Sequence, residues 1–415
     1  MFDIFKIAVR NLSRYRRRTI LTFILIVIGM VAVLLFMSVT GSFKSMMVGQ
    51  ITDSVLGHLE VHRKGYVASI DSLPLNLNLK PEAISKIEDT LRQTDTVQTW
   101  SPRVKFGGMY SNFVETTAIR INGVDPQREA ATVPLLPSRI SEGRKDGVLL
   151  AKGEILIPIL LARGMKSKVG DTVVLVATNR DGSVNGKTFV VRGVIESVSG
   201  PGGRDGYIHI DDARELLRMK EAEVSEFAIR LKDSTQLERT EARLKQALEG
   251  PSNKDGKPVL EVHTWADLSP FANLARMIDL MTVFIKVVLV SIVLVSVMNV
   301  MVMAVYERIR EIGTIAAIGT PPGRILSLFL SEGLLLGLIG TAIGTLISLA
   351  LILALNIWKI HFTFGLQQEL VLAPQIGAVQ VLTIALMVVG VAVLASLQPA
   401  WKASRLDPIN ALRHV

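Results

Sequence analysis

The segment YERIREIGTIAAIGTPPG, residues 306–323, is a short charged stretch between two long apolar runs. Residues 277–305 before it and residues 325–355 after it are almost continuously hydrophobic. Each run exceeds the roughly 20 residues that a helix needs to cross a bilayer. We therefore predict that the charged segment is a turn at a membrane face.

The same segment has the pattern of a short amphipathic helix. Ile309, Ile312 and Ile315 recur at three-residue steps, with arginines and glutamates between them. The sequence Pro-Pro-Gly at 321–323 then ends the helix. Such a helix offers a surface on which another protein can act. The pattern alone also fits a simple re-entry turn whose charges lie among lipid headgroups.

Two further apolar segments, residues 19–39 and 378–397, bring the number of predicted spans to four. Hydrophobic residues make up 49% of the chain and charged residues only 20%, which indicates a membrane protein. The first apolar segment is too long for the core of a cleaved signal peptide, and no small-residue cleavage site follows it. We therefore interpret it as an uncleaved span.

The net charge of +9 does not require a nucleic-acid partner, because much of the excess flanks the spans. These flanking residues are Arg14, Arg16, Arg17 and Arg18 before the first span, and Lys402, Arg405 and Arg413 after the last. Basic residues at such positions mark the cytoplasmic side of a membrane. We therefore predict cytoplasmic termini, a large external insert and no nucleic-acid partner.

The mixture of elements in the insert between the first two spans predicts an α+β domain with two lobes. Alternation predicts strands over residues 104–114, 117–123, 171–177, 187–198 and 226–231. Helical patterns cover residues 81–92, 155–163 and 234–248. The predicted fold class is thus an α-helical membrane protein with four transmembrane helices and a large α+β extracytoplasmic domain inserted between the first and second.

The predicted order of segments follows from these assignments. It is a cytoplasmic amphipathic segment (1–18), the first span (19–39), the external α+β domain (40–276), the second span (277–305), a cytoplasmic coupling helix and turn (306–324), the third span (325–355), a short external loop (356–377), the fourth span (378–397) and a cytoplasmic tail (398–415).

Enzyme motifs are weak in this sequence. With no cysteine, the chain offers no thiol nucleophile and no cysteine zinc site. The stretch GSVNGKT, residues 182–188, has three residues between its glycines where a phosphate-binding loop has four. The dipeptides Asp181-Gly182 and Asn185-Gly186 are typical of hairpin turns. His209, Asp211 and Asp212 lack a second cluster of metal ligands. We predict a non-enzymatic chain without a catalytic, cofactor or metal site.

Two stretches resemble a known family. ERIREIGTIAAIGTPPGRILSLFLSEGLLLGLIG (307–340) and QPAWKASRLDPINALR (398–413) strongly resemble the FtsX/MacB superfamily of ABC transporter permeases. NLSRYRRRTILT (11–22) and GHLEVHRKGY (57–66) look most similar to its lipoprotein-releasing, LolC/LolE-type branch. In the insert, VGDTVVL (169–175) resembles the family more weakly.

The resemblance implies a permease of the bacterial inner membrane, paired with a second copy or a homologous permease. ATP and Mg would bind to a separate ABC ATPase, which docks on the coupling helix. By position, the coupling residues would be Glu307, Arg308, Arg310, Glu311, Ile312 and Ile315. The implied function is ATP-driven extraction of lipoproteins from the outer leaflet toward a periplasmic carrier. Export of another hydrophobic substrate in the manner of MacB, or FtsX-like signalling to a cell-wall hydrolase, are the alternatives.

Apolar residues at the outer ends of the first two spans form a candidate cleft for lipid chains. They are Val39, Phe43, Met46, Met47, Met277, Leu280 and Met281. Flexible methionines suit acyl chains of variable shape, although ordinary core packing explains the same residues. Polar groups within spans also suggest roles. Lys286 either lines a substrate cavity or reaches the interface, whereas Glu332 is expected to have a structural or coupling partner.

Overall fold

The computed structural model describes residues 7–8, 10, 16–143, 147–198, 204–248, 259–364 and 367–407. They form two compact units. The membrane unit comprises the described residues of Met1–Ser45, Arg276–Phe362 and Val371–Val415, and the inserted unit those of Met46–Ala275 and Thr363–Leu370. Four helices are long and apolar enough to span a membrane, and the large domain lies between the first and second. The predicted fold class is confirmed.

The helices, in chain order, are α1 (Arg16–Ile51), α2 (Pro81–Arg92), α3 (Pro126–Thr132), α4 (Ile159–Gly164), α5 (Ile210–Leu216), α6 (Leu237–Leu248), α7 (Trp265–Leu268), α8 (Phe271–Glu307), α9 (Ile309–Ala317), α10 (Pro322–Trp358) and α11 (Ala378–Ser404). The strands are β1 (Leu59–Arg63), β2 (Val97–Ser111), β3 (Thr116–Val124), β4 (Ile140–Gly143), β5 (Glu154–Pro158), β6 (Thr172–Thr178), β7 (Val184–Ile195), β8 (Gly206–His209), β9 (Glu226–Leu231), β10 (Leu260–Thr264), β11 (Ile360–Phe364) and β12 (Gln367–Leu372).

The spanning helices α1, α8, α10 and α11 extend beyond the apolar runs that predicted them. Helix α11 continues through Pro399 to Ser404, into residues assigned to the tail, because Ala400 and Ala403 still bury against the membrane unit. The predicted loop 356–377 holds the end of α10 and the hairpin β11–β12. Most of the N-terminal segment and the end of the tail lie outside the described residues.

Small residues let α10 approach its neighbours closely. A Cβ atom added at Gly340 would lie 2.7 Å from Ile26 Cγ2, and one at Gly344 would lie 2.7 Å from Met30 Cβ. Real side chains do not tolerate such distances, so α1 and α10 touch along a glycine ridge. Small residues at helix contacts are a usual way to pack helices in lipid.

The inserted unit is built on one mixed sheet of ten strands in the order β10-β1-β9-β2-β3-β8-β5-β7-β4, with β6 paired to β2 and β7. One face carries the apolar core, in which Val61, Phe106 and Phe227 are fully buried. Helices α2 and α6 contribute Ile87 and Leu244 to the same core. Successive side chains of a strand point to opposite faces, so the residues between these lie on the other face.

Sequence patterns found most of the long elements of this unit, with one clear error. The predicted helix over residues 155–163 is wrong in its first half, where β5 pairs with β7 and β8. Ile155, Leu156 and Ile157 are all fully buried, so this strand lacks alternation. A short apolar run bounded by a proline does not distinguish a buried strand from a helix.

Candidate functional site

The segment between the second and third spans forms a short helix separated from α8 by one residue. Arg308 has φ −112° and ψ 16° and breaks the helix, and α9 then runs from Ile309 to Ala317. Gly319 follows in the left-handed region, with φ +89°, and the N–H of Thr320 donates to the carbonyl of Ile315 at 3.3 Å. This local structure is a common way to end a helix. Pro322 then begins α10.

Helix α9 has an inward and an outward face. Ile312 and Gly313 are buried in the membrane unit, and Ile312 belongs to its apolar core. Arg310 and Thr314 are exposed, and the side chain of Ile318, just past the helix, is 78% exposed. An exposed charged face with one large apolar residue at its end is suited to a protein partner.

The six predicted coupling residues differ in how far their side chains are exposed. Glu307 and Arg310 are exposed, and Glu311 and Ile315 are half-buried. Arg308 and Ile312 are buried, so their side chains do not lie on the accessible surface of this chain. Amphipathicity identified the helix correctly, but it did not separate the accessible residues from the buried ones.

Arg308 and Glu332 form a buried ion pair. The guanidinium Nη1 of Arg308 donates to Glu332 Oε1 at 2.9 Å, and its Nε donates to Glu311 Oε2 at 3.1 Å. The Arg308 Cζ lies 5.4 Å from the centroid of the Phe329 ring. The expected structural partner of Glu332 is therefore the residue at the break between α8 and α9.

The candidate cleft residues differ in burial. Met47 is buried, while Met277, Leu280 and Met281 are all more than half exposed. Val39, Phe43 and Met46 are half-buried on α1. The nearby Lys44 Nζ contacts Asp279 Oδ2 at 2.6 Å, which joins the C-terminal part of α1 to the first turns of α8. Lys286 is half-buried in α8, and its role stays open.

A second charged cluster is buried on the sheet of the inserted unit. It comprises Glu60 and His62 on β1, Arg103 and Lys105 on β2, Glu129 on α3 and Glu226 on β9, and we call it the ion network. Each of these residues is less than 9% exposed. Arg103 donates through Nη2 to Glu129 Oε1 at 2.7 Å and through Nη1 to Glu226 Oε1 at 3.2 Å.

His62 is held between two carboxylates of the ion network. Its Nε2 lies 3.2 Å from Glu60 Oε2 and 3.3 Å from Glu226 Oε2. Burial lowers the pKa of His62, but hydrogen bonds with Glu226 and Glu60 outweigh burial and raise the pKa to about 9. Burial raises the pKa of Glu226, yet Lys105 and His62 hold that pKa well below its usual range.

The ion network can be neutral without a metal. Glu60, Glu129 and Glu226 carry three negative charges, and Arg103, Lys105 and a protonated His62 balance them. Glu60, His62 and Glu226 do present ligand atoms within 4.8 Å of one another. A divalent cation would displace the single proton of His62 and so add one net positive charge to the buried network. Lys105 Nζ, which contacts Glu226 at 2.7 Å, already supplies a positive charge there. The charges therefore favour a proton.

Sequence reasoning missed the ion network. On β1 the only signal is alternation, since Glu60 and His62 alternate with the buried Leu59 and Val61. This pattern ordinarily indicates an exposed strand face. The phosphate-loop-like stretch 182–188 forms the turn after β6 and the start of β7, with Gly182 at φ +84°. The predicted hairpin is present with its turn at Asp181-Gly182, but Asn185-Gly186 lies within β7, where it pairs with β6, so its assignment to a turn was wrong.

Among the described residues, four helices able to span a membrane, a domain inserted between the first two and a charged helix at the next turn define the layout of a multi-pass membrane protein. The chain matches the MacB-like periplasmic core domain over residues 19–247 and the FtsX-like permease C-terminal domain over residues 283–408. It belongs to the MacB/FtsX family of ABC transporter permeases. The resemblance found in the sequence is confirmed, and permeases of this family work with ABC ATPases.

Relatives carry two different names. The lipoprotein-releasing system transmembrane protein LolC of Neisseria meningitidis serogroup B is 23% identical, over 98% of each chain. LolC of Xylella fastidiosa is also 23% identical, over 71% of this chain and 72% of that protein. The macrolide export ATP-binding/permease protein MacB of Neisseria gonorrhoeae is 38% identical, but only over 26% of this chain and 15% of that protein.

Solved structures of external domains are similar to about half of this chain. The periplasmic region of MacB from Actinobacillus actinomycetemcomitans is 13% identical, covers 53% of this chain and 92% of its own, and has a TM-score of 0.36. The extracellular domain of the ABC-type transporter YknZ from Gram-positive bacteria is 16% identical, covers 50% of this chain and 99% of its own, and has a TM-score of 0.35.

Proposed function

We propose that this permease is one half of a lipoprotein-releasing ABC transporter. Its main support is the match to LolC, which extends over 98% of both chains and therefore includes the whole layout of spans and insert. A separate ATPase, holding ATP and Mg, supplies the energy. The permease pairs with a second copy or with a homologous permease.

The accessible face of α9 is the docking surface for that ATPase. Glu307 and Arg310 offer charges of both signs, and Ile318 offers an apolar contact. Charges at such a surface orient the partner, while the apolar contact adds affinity. Ile312, which lies underneath, packs the docking helix against the membrane unit, and Arg308 links the start of that helix to Glu332.

The basic residues at the chain ends support cytoplasmic termini and a periplasmic inserted unit. In this orientation α9 faces the cytoplasm, where ATP is available. The candidate cleft then lies at the outer leaflet. Acyl chains are flexible and apolar, and the exposed Met277, Leu280 and Met281 offer them an adaptable surface. A periplasmic carrier receives the released lipoprotein.

Export of another hydrophobic substrate is the second candidate function. It is supported by the match to the MacB-like periplasmic core domain and by the 38% identity to MacB over 109 residues. FtsX-like signalling to a cell-wall hydrolase is less well supported, because the insert is larger than that function needs.

Purification from the native membrane through a C-terminal tag, followed by mass spectrometry, tests the proposal. We expect to recover an ABC ATPase together with acylated lipoproteins. A second permease among the products would identify a heterodimer. Recovery of an adaptor and an outer-membrane channel without lipoproteins would favour the second candidate, and a cell-wall hydrolase would favour signalling.

A further inference from the structure

The break between α8 and α9 consists of a single residue. Arg308 lies outside helical geometry, while its N–H donates to the carbonyl of Val305 at 3.2 Å and its carbonyl accepts from the N–H of Ile312 at 2.9 Å. Hydrogen bonds therefore continue on both sides of the break. This arrangement allows α9 to change its angle to α8 with little loss of backbone bonding.

The side chain of the same residue connects two other elements. Its Nε reaches Glu311 on α9 at 3.1 Å, and its Nη1 reaches Glu332 on α10 at 2.9 Å. Arg308 is 4% exposed and Glu332 is 1% exposed. One guanidinium thus bridges the docking helix and the third span at the point where the chain can bend.

Burial makes this bridge difficult to break. A carboxylate left without its cation inside the membrane unit keeps its desolvation cost and loses its compensation. The planar guanidinium also fixes the directions of its two hydrogen bonds, which a single ammonium group does not. A displacement of α9 is therefore transmitted to α10 instead of being absorbed at the break.

Helix α10 is in turn packed tightly against α11. A Cβ atom at Gly333, directly after Glu332, would overlap Ser396 Oγ. A Cβ atom at Gly337 would lie 2.9 Å from Ala392 Cβ. The bridge therefore acts on a pair of helices that move together.

We infer that Arg308 is a positioning residue that transmits movement of the docked α9 to α10 and α11 through Glu332. This inference rests on the proposed function, since it assumes that an ATPase moves α9. It assigns different roles to neighbouring residues of one segment. Arg310 contacts the ATPase, whereas Arg308 converts docking into movement of the spans.

The test uses the full permease with its co-purified ATPase in nanodiscs, and it measures ATPase binding and ATP-driven lipoprotein release separately. Arg308→Gln is expected to keep ATPase binding and to lower release roughly tenfold or more, the size of a typical coupling between sites. Arg310→Glu is expected to weaken binding itself. Arg324→Gln removes an exposed arginine at the start of α10 and serves as the charge control.

Further variants distinguish a loss of coupling from a general loss of folding. The double change Arg308→Glu with Glu332→Arg restores the ion pair with its charges reversed but not the contact with Glu311, and is expected to recover part of the release. Glu311→Gln removes only the α9 half of the bridge, at a residue whose side chain is 38% exposed, and is expected to lower release less than Arg308→Gln. This variant keeps the inference testable if Arg308→Gln does not fold.

Normal release by both Arg308→Gln and Glu311→Gln would overturn the inference. Loss of ATPase binding by Arg308→Gln, equal to that of Arg310→Glu, would also overturn it, because Arg308 would then act in docking. If the wild-type permease binds no ATPase, the proposed function fails instead, and the two failures are thereby distinguished.

Discussion

His62 lies between Glu60 and Glu226, with no exposed surface, and its charge state decides whether the ion network is neutral. Nε2 offers a single hydrogen to the two carboxylates in either protonation state, so protonation of the ring acts through its charge. The positive charge of a protonated imidazole stabilises both neighbouring carboxylates and, together with Arg103 and Lys105, balances the three carboxylates of the network. With a pKa of about 9, His62 is therefore protonated within the sheet at neutral pH.

This charge state predicts how the stability of the inserted unit depends on pH. The folded-state pKa of about 9 exceeds the ordinary value of 6.5, so protonation of His62 favours the folded state. The contribution, on the order of 3 kcal/mol, is complete below pH 6.5 and is lost as pH rises through 9. Hydrogen exchange of the β1 amides in the full chain, corrected for the intrinsic exchange rates at each pH, measures this contribution to stability.

His62→Gln is expected to exchange faster at pH 7 and to lose this pH dependence, whereas His361→Gln changes an exposed histidine and is expected to behave as wild type. Stoichiometric zinc in the purified protein, with faster exchange after chelation, would contradict the proton assignment. It would instead make Glu60, His62 and Glu226 metal ligands.

At the scale of elements, the sequence predicted the amphipathic α9 from the spacing of Ile309, Ile312 and Ile315, because a helix that meets an apolar unit must have an apolar stripe. It did not predict that Arg308 is buried, or that Ile312 packs inside this chain and not against the ATPase. Which charged residue is buried depends on its neighbour in space, and Glu332 is on a different helix. The error over β5 has a similar origin, since its pairing partners lie elsewhere in the chain.

The glycine ridge of α10 gives a prediction with a matched control. Gly344→Ala places a Cβ atom 2.7 Å from Met30 Cβ and is expected to destabilise the membrane unit by about 1–3 kcal/mol, the usual cost of overpacking. Gly390→Ala meets nothing within 4 Å and is expected to be neutral or slightly stabilising. Thermal unfolding in detergent compares the two, and equal midpoints would contradict the close contact of α1 with α10.

At the scale of the molecule, the sequence predicted the four spans and the position of the insert, because continuous apolar length is sufficient to identify a spanning helix. The ion network was not predictable in the same way. Its members lie on β1, β2, α3 and β9, and only the sheet order brings these strands and this helix together. Long-range pairing carries no local signature in a single sequence.

ATP-driven transfer of a lipoprotein out of the bilayer is the most direct test of lipoprotein release as the function. The permease and its co-purified ATPase are reconstituted in liposomes with a fluorescent acylated lipoprotein, and transfer to a soluble carrier is followed after ATP is added. We expect release that requires ATP hydrolysis and an intact α9 surface. ATP hydrolysis at a normal rate with the lipoprotein still in the bilayer would contradict lipoprotein release as the function.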